Sequence, residues 1–217
     1  MIGDVSGSAA LAMWLALVLA LFDWYGAARS RRFTWWAKPA VTVALIGASA
    51  LITPANSSIK WFVMGALALA VLSDLAQNIE AIELGLGLGL LGNAAYTAAF
   101  LIAWHSWPAS LLTLVLGLLL IAVIGRRIAA HASQYDGRVE LLVLLSQVVL
   151  VVMAVIAFGT TNQWVMAGAG LAVFSDLYLN WTRFVGRESA ASRLIVHLTG
   201  HVAQACFVIS LVTLAKS

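Results

Sequence analysis

The stretch at residues 64–78, MGALALAVLSDLAQN, is an apolar segment that closes on an aspartate. A second stretch lies 102 positions later at residues 166–180, MAGAGLAVFSDLYLN, and matches the first at eight of fifteen positions, including Ser-Asp-Leu and the final Asn. Two apolar segments with the same ending indicate an internally duplicated chain. The duplication predicts two carboxylates, Asp74 and Asp176, in equivalent places of the fold.

The composition around these two stretches is that of an integral membrane protein. Of the 217 residues, 63% are hydrophobic and 10% are charged, which is too little polar surface to cover a water-soluble globule. We therefore expect a single integral membrane domain over residues 1–217. The net charge of +3 is too small to indicate a nucleic-acid partner, and the single cysteine, Cys206, is expected to pack as a small apolar side chain.

Eight apolar segments divide the chain, each near the roughly 20 residues that cross a bilayer. The predicted segments are residues 8–25, 39–52, 61–77, 84–104, 109–124, 139–158, 163–184 and 194–214. A longer polar loop is predicted at 126–138, before the sixth segment. The predicted fold class is all-α, with eight transmembrane helices built as a parallel 4+4 repeat whose halves are about 1–106 and 107–217.

The basic residues predict the orientation of these segments, because lysine and arginine concentrate on the cytoplasmic side of membrane proteins. Ten of the twelve lysines and arginines lie in the linkers after the first, fifth and seventh segments, whereas Lys60 and Lys216 lie on the opposite side. Both termini are therefore predicted to be non-cytoplasmic, in what we expect to be a bacterial inner membrane. The third and seventh segments then run in the same direction, so the repeat is parallel and both aspartates lie at matching depth near the cytoplasmic face. The ten basic residues of the linkers are Arg29, Arg31, Arg32, Lys38, Arg126, Arg127, Arg138, Arg183, Arg187 and Arg193.

The two aspartates are candidates for a functional site. An unpaired carboxylate at membrane depth costs roughly 2.5–3.5 kcal/mol on insertion scales, so such a residue usually faces a cavity or a partner. The alternative is that each aspartate reaches water at the interface and only caps a helix end. Two aspartates in the same local sequence and on the same side favour the functional interpretation.

Two stretches carry a resemblance to a known family: GAGLAVFSDLYLNWTRF at 168–184 and GALALAVLSDL at 65–75. They resemble the segment-seven and segment-three motifs of the lysoplasmalogenase family, membrane hydrolases that cleave the vinyl ether of lysoplasmalogens. Asp176 and Asp74 occupy the family's two aspartate positions. The resemblance implies an eight-helix membrane fold and a lysophospholipid substrate.

Three further stretches are similar to motifs of that family, with departures. Lys38-Pro39 is similar to the family's Lys-Pro, and LGNAAYTAAF at 91–100 keeps Tyr96 of a His-x-x-Tyr segment in which Asn93 replaces the histidine. SRLIVHLTGHVAQ at 192–204 resembles a motif that ends in Thr-Tyr-Tyr-x-x-Gln, and here glycine and histidine stand at 200 and 201 where tyrosines are usual.

The chemistry implied by the resemblance gives the two carboxylates separate tasks. A vinyl ether is cleaved when a proton adds to its β-carbon, which forms an oxocarbenium ion that water captures before the hemiacetal falls apart. A low dielectric and a neighbouring like charge both favour the protonated form of a carboxyl group, so the pair is expected to share one proton. We predict that one of Asp74 and Asp176 is the general acid and that the other stabilises the cation and orients water. The sequence leaves open which aspartate has which task.

A second group of residues is predicted to bind the substrate. The two asparagines lie one helical turn after the aspartates, where they can hydrogen-bond a carboxylate or a headgroup or simply end the helix. The lysine lies where a phosphate headgroup enters, although an interfacial lysine also snorkels without binding anything. The remaining three can line the cavity or only join neighbouring helices. The predicted binding residues are Lys38, Asn78, Tyr96, Asn180, His201 and Gln204.

Other chemistries are not indicated. His197 and His201 share a helical face and can with an aspartate bind a metal, but no Glu completes the pattern, and we predict no metal site. The Gly-x-Gly run at 85–89 lies in a membrane segment, where it favours close helix packing. The last segments have no mid-helix lysine that could bind retinal. Ser73 and Ser175 have no adjacent base, so a serine nucleophile is not indicated either. We expect no cofactor; the expected partners are the lysophospholipid and membrane lipid, and no oligomeric state is indicated.

Two other function classes suit the same pattern. A non-catalytic lipid-binding protein and a small proton-coupled transporter can both carry paired intramembrane acids within a repeat. A transporter needs polar residues along both halves of its path, whereas the polar positions of this sequence cluster toward the predicted cytoplasmic side. This asymmetry favours a site that is closed at one end.

Overall fold

The structure is a computed structural model that describes residues 6–29, 31–54 and 56–214, without the side chains of residues 31–34. The described residues form eight helices and no strand, which confirms the all-α class. Lys216 and the side chains of Arg31 and Arg32, which were predicted to mark the two membrane sides, lie outside the described part. The helices are α1 Gly7–Arg29, α2 Arg31–Leu51, α3 Ser57–Asn78, α4 Ile82–Leu101, α5 Trp107–Ala132, α6 Gly137–Gly159, α7 Gln163–Phe184 and α8 Ala190–Thr213.

Helix α2 begins eight residues before its predicted start at residue 39, so that prediction was wrong. Pro39 lies inside the helix and has no backbone N–H to donate to the carbonyl of Trp35 one turn earlier. The side chain of Asn78 at the end of α3 donates to that carbonyl, with an Nδ2 to O distance of 3.1 Å. The helix therefore continues through the proline, and Lys38 becomes a helical residue rather than part of a linker.

The predicted polar loop at 126–138 was also too long. Helix α5 passes through a π turn at Ile121–Gly125 and continues to Ala132. Ile128, Ala129 and Ala132 of this last part are buried in a cluster with residues of α6 and α7. Burial of this apolar face stabilises the extra helical turns although the other face is basic.

Helices α3 and α7, which carry the duplicated motif, begin alike but end differently. Asn56 and Asn162 cap their first turns by accepting backbone N–H groups through their side chains. Asp74 lies four residues before the end of α3 at residue 78, whereas Asp176 lies eight residues before the end of α7 at residue 184. Relative to the helix ends, the two aspartates therefore differ by about one helical turn, or roughly 6 Å.

Close helix packing around α3 depends on small residues. Ala66 of α3 and Ala99 of α4 are fully buried. A Cβ atom added at Gly85 of α4 would lie 2.6 Å from Cγ of Gln77, and one at Gly92 would lie 3.4 Å from the carbonyl oxygen of Ala66. The predicted role of the glycine run at 85–89 in helix packing is confirmed at Gly85, and Gly92, three residues after the run, packs closely as well.

The outer surface of the bundle is apolar. Six of the eight helices are long and apolar enough to cross a membrane, and the two that are not are α2 and α7. Large hydrophobic side chains such as Leu11, Trp14, Leu112 and Val123 are more than half exposed on α1 and α5. Such a surface suits a lipid solvent, and the chain is a multi-pass membrane protein.

The helices pack mainly with their neighbours in the chain. Contacts join α1 to α2, α2 to α3, α3 to α4, α5 to α6, α6 to α7 and α7 to α8, and the two halves meet where α6 packs on α4 and where α8 packs on α1, α2 and α3. This arrangement brings the ends of α3 and α7, with their aspartates, beside the same stretch of α8. The candidate site lies there.

Candidate functional site

A cavity of about 130 Å³ lies between α2, α3, α4, α7 and α8. Asp74 and Asp176 both contribute to its wall, so the structure brings the two duplicated carboxylates together. Six of the eight residues that were predicted from the sequence line this cavity, namely Lys38, Asp74, Tyr96, Asp176, His201 and Gln204. The structure thus brings these six residues together in one cavity, and their roles stay a prediction.

A larger polar opening of about 500 Å³, which we call the mouth, adjoins the cavity. Five residues line both the mouth and the cavity, namely Lys38, Asp74, Gln77, Leu179 and Val196. Arg183 of α7 donates from Nη2 to Oε1 of Gln77 over 2.7 Å and so holds this side chain between α3 and α7. The mouth is also lined by Arg193 at the start of α8. Basic and acidic side chains line this entrance in equal number, namely Lys38, Arg183 and Arg193 against Asp74, Glu80 and Glu188.

Asp74 forms an ion pair at the boundary between the mouth and the cavity. Lys38 of α2 donates from Nζ to Oδ1 of Asp74 over 2.5 Å, and the exposed fractions of the two side chains are 21% and 10%. The helical continuation of α2 through Pro39 places the ammonium group beside α3. Charge-assisted hydrogen bonds of this kind are the strong ones, and the ammonium compensates the negative charge of an ionised Asp74.

Asp176 has a different partner. Its Oδ2 atom lies 3.4 Å from Nδ2 of Asn93 on α4, which is a neutral amide donor. Among the described residues no ion pair is formed by Asp176, and this side chain lines the cavity without reaching the mouth. The two carboxylates therefore come from the same motif but have unlike surroundings.

The two serines of the motif have structural contacts. Ser73 donates from its hydroxyl to the carbonyl of Gly85 on α4 over 2.7 Å, and Ser175 donates to the carbonyl of Val196 on α8 over 3.1 Å. Each serine thus ties its helix to the following helix, one residue before the aspartate. These hydrogen bonds fix the direction in which the two carboxylates enter the cavity.

The predicted asparagines do not line the cavity. Asn78 reaches the mouth, but its amide donates to the carbonyl of Trp35 instead of to Asp74. Asn180 is buried and is not among the residues that line the cavity or the mouth. The spacing of four residues puts each asparagine on the same helical face as its aspartate. In α3, however, Asn78 donates to the carbonyl of Trp35, which Pro39 leaves without a helical donor.

Tyr96 and Gln204 form the inner wall of the cavity. The ring of Tyr96 packs against Phe207 with 4.5 Å between centroids, and its hydroxyl is buried without a hydrogen-bond partner in the described part of the chain. Gln204 accepts a hydrogen bond at Oε1 from Thr42 of α2 over 3.0 Å. The polar atoms of these two side chains are thus a hydroxyl without a partner and an amide that Thr42 holds in place.

Sequence reasoning missed Asp23 of α1, whose side chain is fully buried. Its Oδ2 atom lies 2.7 Å from Nδ1 of His197 and 3.7 Å from Nε2 of His201, both on α8. The indole N–H of Trp24 donates to Nδ1 of His201 over 3.2 Å. The available signal was an acidic residue inside the first apolar segment, to which the same cost argument applies as to Asp74.

No group of three or more His, Cys, Asp or Glu side chains in the described ranges is arranged to hold a metal ion. This includes the histidine pair at 197 and 201, for which the sequence left a metal site as an alternative. The two imidazoles contact a carboxylate of α1 instead. His197 forms a hydrogen bond with this carboxylate, and His201 lies 3.7 Å from it.

A family model described as the YhhN family matches residues 33–211 of the chain. No curated protein and no solved structure matches it. The matched residues include α3, α4, α7 and every residue that lines the cavity, whereas Asp23 lies outside the match.

Proposed function

The chain belongs to the YhhN family, which includes lysoplasmalogenases, and from that premise we propose that it is a membrane hydrolase for lysoplasmalogen. The proposed reaction cleaves the vinyl ether bond and yields a fatty aldehyde and a glycerophospholipid backbone. The supporting observation is that two carboxylates with unlike partners, Asp74 beside Lys38 and Asp176 beside Asn93, line one cavity.

The unlike partners suggest how the two aspartates divide the work. A general acid must carry a proton. Asp176 is better suited than Asp74 to do so, because it lies beside a neutral amide within the apolar bundle. Asp74 faces an ammonium group and is assigned the role of a carboxylate that stabilises a positive charge nearby. In this proposal Asp176 protonates the β-carbon, and the negative charge of Asp74 stabilises the oxocarbenium ion.

The shape of the site suggests how the substrate lies. The phosphate headgroup is proposed to occupy the mouth and to bind the basic side chains in its wall, which are those of Lys38, Arg183 and Arg193. The vinyl ether then reaches the cavity, whose wall is formed by Tyr96, His201 and Gln204. A cavity of about 130 Å³ has room for the reacting atoms and a few waters, since a water molecule takes about 30 Å³ of liquid volume.

We also propose that all eight helices span the membrane as a parallel 4+4 repeat. The pairing of α1 with α2 and of α3 with α4 has counterparts in α5 with α6 and α7 with α8. The proposed location is a bacterial inner membrane with both termini non-cytoplasmic. In that orientation the mouth opens toward the cytoplasm, because α3 and α7 end there.

The proposal is tested by incubating the purified protein in detergent with lysoplasmalogen and measuring the released aldehyde. We expect aldehyde release from the vinyl ether substrate and none from the matched lysolipid with a saturated alkyl ether. Binding of lysoplasmalogen without aldehyde release would contradict a hydrolase and favour a non-catalytic lipid-binding protein. Proton movement into proteoliposomes on addition of substrate, again without aldehyde, would favour a proton-coupled transporter.

A further inference from the structure

A second acid–base group lies beside the mouth, and the mechanism above does not use it. Asp23 of α1 and His197 of α8 form a hydrogen bond of 2.7 Å between Oδ2 and Nδ1. The exposed fraction is zero for the Asp23 side chain and 12% for the His197 side chain. The pair thus has one member inside the bundle and one member at the wall of the mouth.

The hydrogen bond determines which nitrogen of His197 can act as a base. A carboxylate only accepts hydrogen bonds, so Nδ1 of His197 carries the proton that is donated to Asp23. The lone pair of the neutral imidazole is then on Nε2. Among the described residues Nε2 of His197 makes no hydrogen bond, and the side chain lines the mouth together with Lys38 and Asp74. A buried carboxylate that orients an imidazole toward a polar space is the arrangement of a general base and its positioning residue.

His201 contributes to the same network from the cavity side. Trp24 donates to Nδ1 of His201, so the neutral His201 ring carries its proton on Nε2. That N–H group lies 3.7 Å from the oxygen of Asp23 that accepts from His197. The charge of Asp23, which is fully buried, therefore has two imidazoles near it. The charged residues that line the mouth together with His197 are Lys38, Asp74, Glu80, Arg183, Glu188 and Arg193.

We propose that His197, positioned by Asp23, is the group that takes up the proton of the attacking water during hydrolysis. The inference rests on the proposed function. Asp74 is less suited to this task because one of its oxygens is already bound to the ammonium group of Lys38. His197 has a free basic nitrogen in the mouth, and the mouth and the cavity meet at Lys38, Asp74 and Val196, the residue before it.

The proton transfers balance over one turnover. Asp176 gives its proton to the β-carbon of the vinyl ether, and the oxygen of water adds to the α-carbon while Nε2 of His197 takes a proton from that water. The imidazolium, stabilised by Asp23, returns this proton to the ether oxygen as the bond between carbon and oxygen breaks and the alcohol leaves. Asp176 regains a proton from the hydroxyl of the hemiacetal, which becomes the aldehyde.

The test compares two substitutions of His197 with one of a distant histidine. His197→Ala removes the base, and His197→Asn removes it while keeping an amide N–H that can donate to Asp23. We expect kcat to fall by about 100-fold in both variants, in line with general base catalysis. His131→Ala is the matched control and should retain full activity. His131 lies on α5, outside the cavity and the mouth, and its side chain hydrogen-bonds only the carbonyl of Arg127 among the described residues.

Chemical rescue separates catalysis from structure. Imidazole added to His197→Ala can enter the mouth of about 500 Å³ and should restore at least about 10-fold of the lost rate. Asp23→Asn should lower kcat by about 100-fold with little change in KM and should gain nothing from imidazole, because its His197 is present but wrongly oriented.

The outcomes distinguish the two proposals. Wild-type protein without aldehyde release would overturn the proposed hydrolase and the inference with it. An active wild type whose His197→Asn variant keeps full activity would overturn the inference alone. Loss of activity in folded His197→Ala protein without imidazole rescue, with lysolipid binding retained, would also overturn it, since the side chain would then be structural.

Discussion

The two copies of the Ser-Asp motif occupy one cavity, yet their carboxylates differ in every partner described. Asp74 is bound by Lys38 of the preceding helix, whereas Asp176 lies near Asn93 from the other half of the chain. Position 38 plus 102 is position 140, and the sequence has a glutamate there instead of a lysine. The sequence repeat puts the same side chain at both positions, and the neighbouring helices give the two copies different partners.

The largest expected effect comes from removing the proposed acid. Asp176→Asn should lower the rate of aldehyde release by about 1,000-fold or more, because an amide cannot protonate the β-carbon. Asp74→Asn should cost less, about 10- to 100-fold, because it removes a stabilising charge and not the proton donor. Equal losses in the two variants, measured by aldehyde release under identical conditions, would contradict the assigned division of work.

A substitution at position 93 can give Asp176 the kind of partner that Asp74 has. Asn93→Lys places an ammonium group near Asp176 and should lower the rate by about 100-fold, because an ion pair stabilises the carboxylate and not the carboxylic acid. Asn93→Gln, which keeps a neutral amide, is the matched control and should stay within about 10-fold of wild type. Similar rates in the two variants would show that the charge state of Asp176 does not limit turnover.

A smaller effect is expected from breaking the ion pair from the lysine side. Lys38→Met keeps the aliphatic stem but leaves Asp74 without its cation, which should lower stability by about 1–3 kcal/mol, since the pair is partly exposed at the mouth. Thermal unfolding should show the loss. The double variant Lys38→Met with Asp74→Asn should regain part of it, because the uncompensated charge is gone. No recovery in the double variant would mean that Lys38 stabilises the fold through other contacts.

The smallest expected effect concerns Asn78, at the end of the same helix as Asp74. Asn78→Leu should leave aldehyde release within about 3-fold of wild type and cost about 1 kcal/mol of stability, because the carbonyl of Trp35 loses its donor. In a Pro39→Ala background the helix supplies a backbone N–H for this carbonyl, so the same substitution should cost much less. Equal costs in both backgrounds, measured by unfolding, would rule out this role.

The sequence predicted most of the site because the repeat and the helical period carry the relevant information. Six of the eight predicted residues line the cavity, and helix α7 begins and ends at the predicted residues 163 and 184. The partners of the aspartates were not predictable in the same way. Lys38 was assigned to the headgroup, and its contact with Asp74 depends on the continuation of α2 through Pro39.

The residues that sequence reasoning missed have no counterpart in the repeat. Position 23 plus 102 is position 125, a glycine at the π turn of α5, so the duplication gives no signal for Asp23. Its partner His197 is nearly the whole chain away, and only the packing of α1 on α8 brings them together. A rule that examines every acidic residue within an apolar segment would have found Asp23, but it would not have identified its histidine partner.

The ion pair between Lys38 and Asp74 joins two consecutive helices that are separated by only the five residues 52–56. In the proposed eight-span topology, α2 and α3 can enter the bilayer during synthesis as one hairpin whose opposite charges already neutralise each other. Asp176 meets Asn93 only after the second half of the protein has been synthesised. A topology reporter within residues 52–56 of full-length Lys38→Met should therefore show a larger misinserted fraction than in wild type. The same ion pair would then act during membrane insertion of the nascent chain and again in the folded protein.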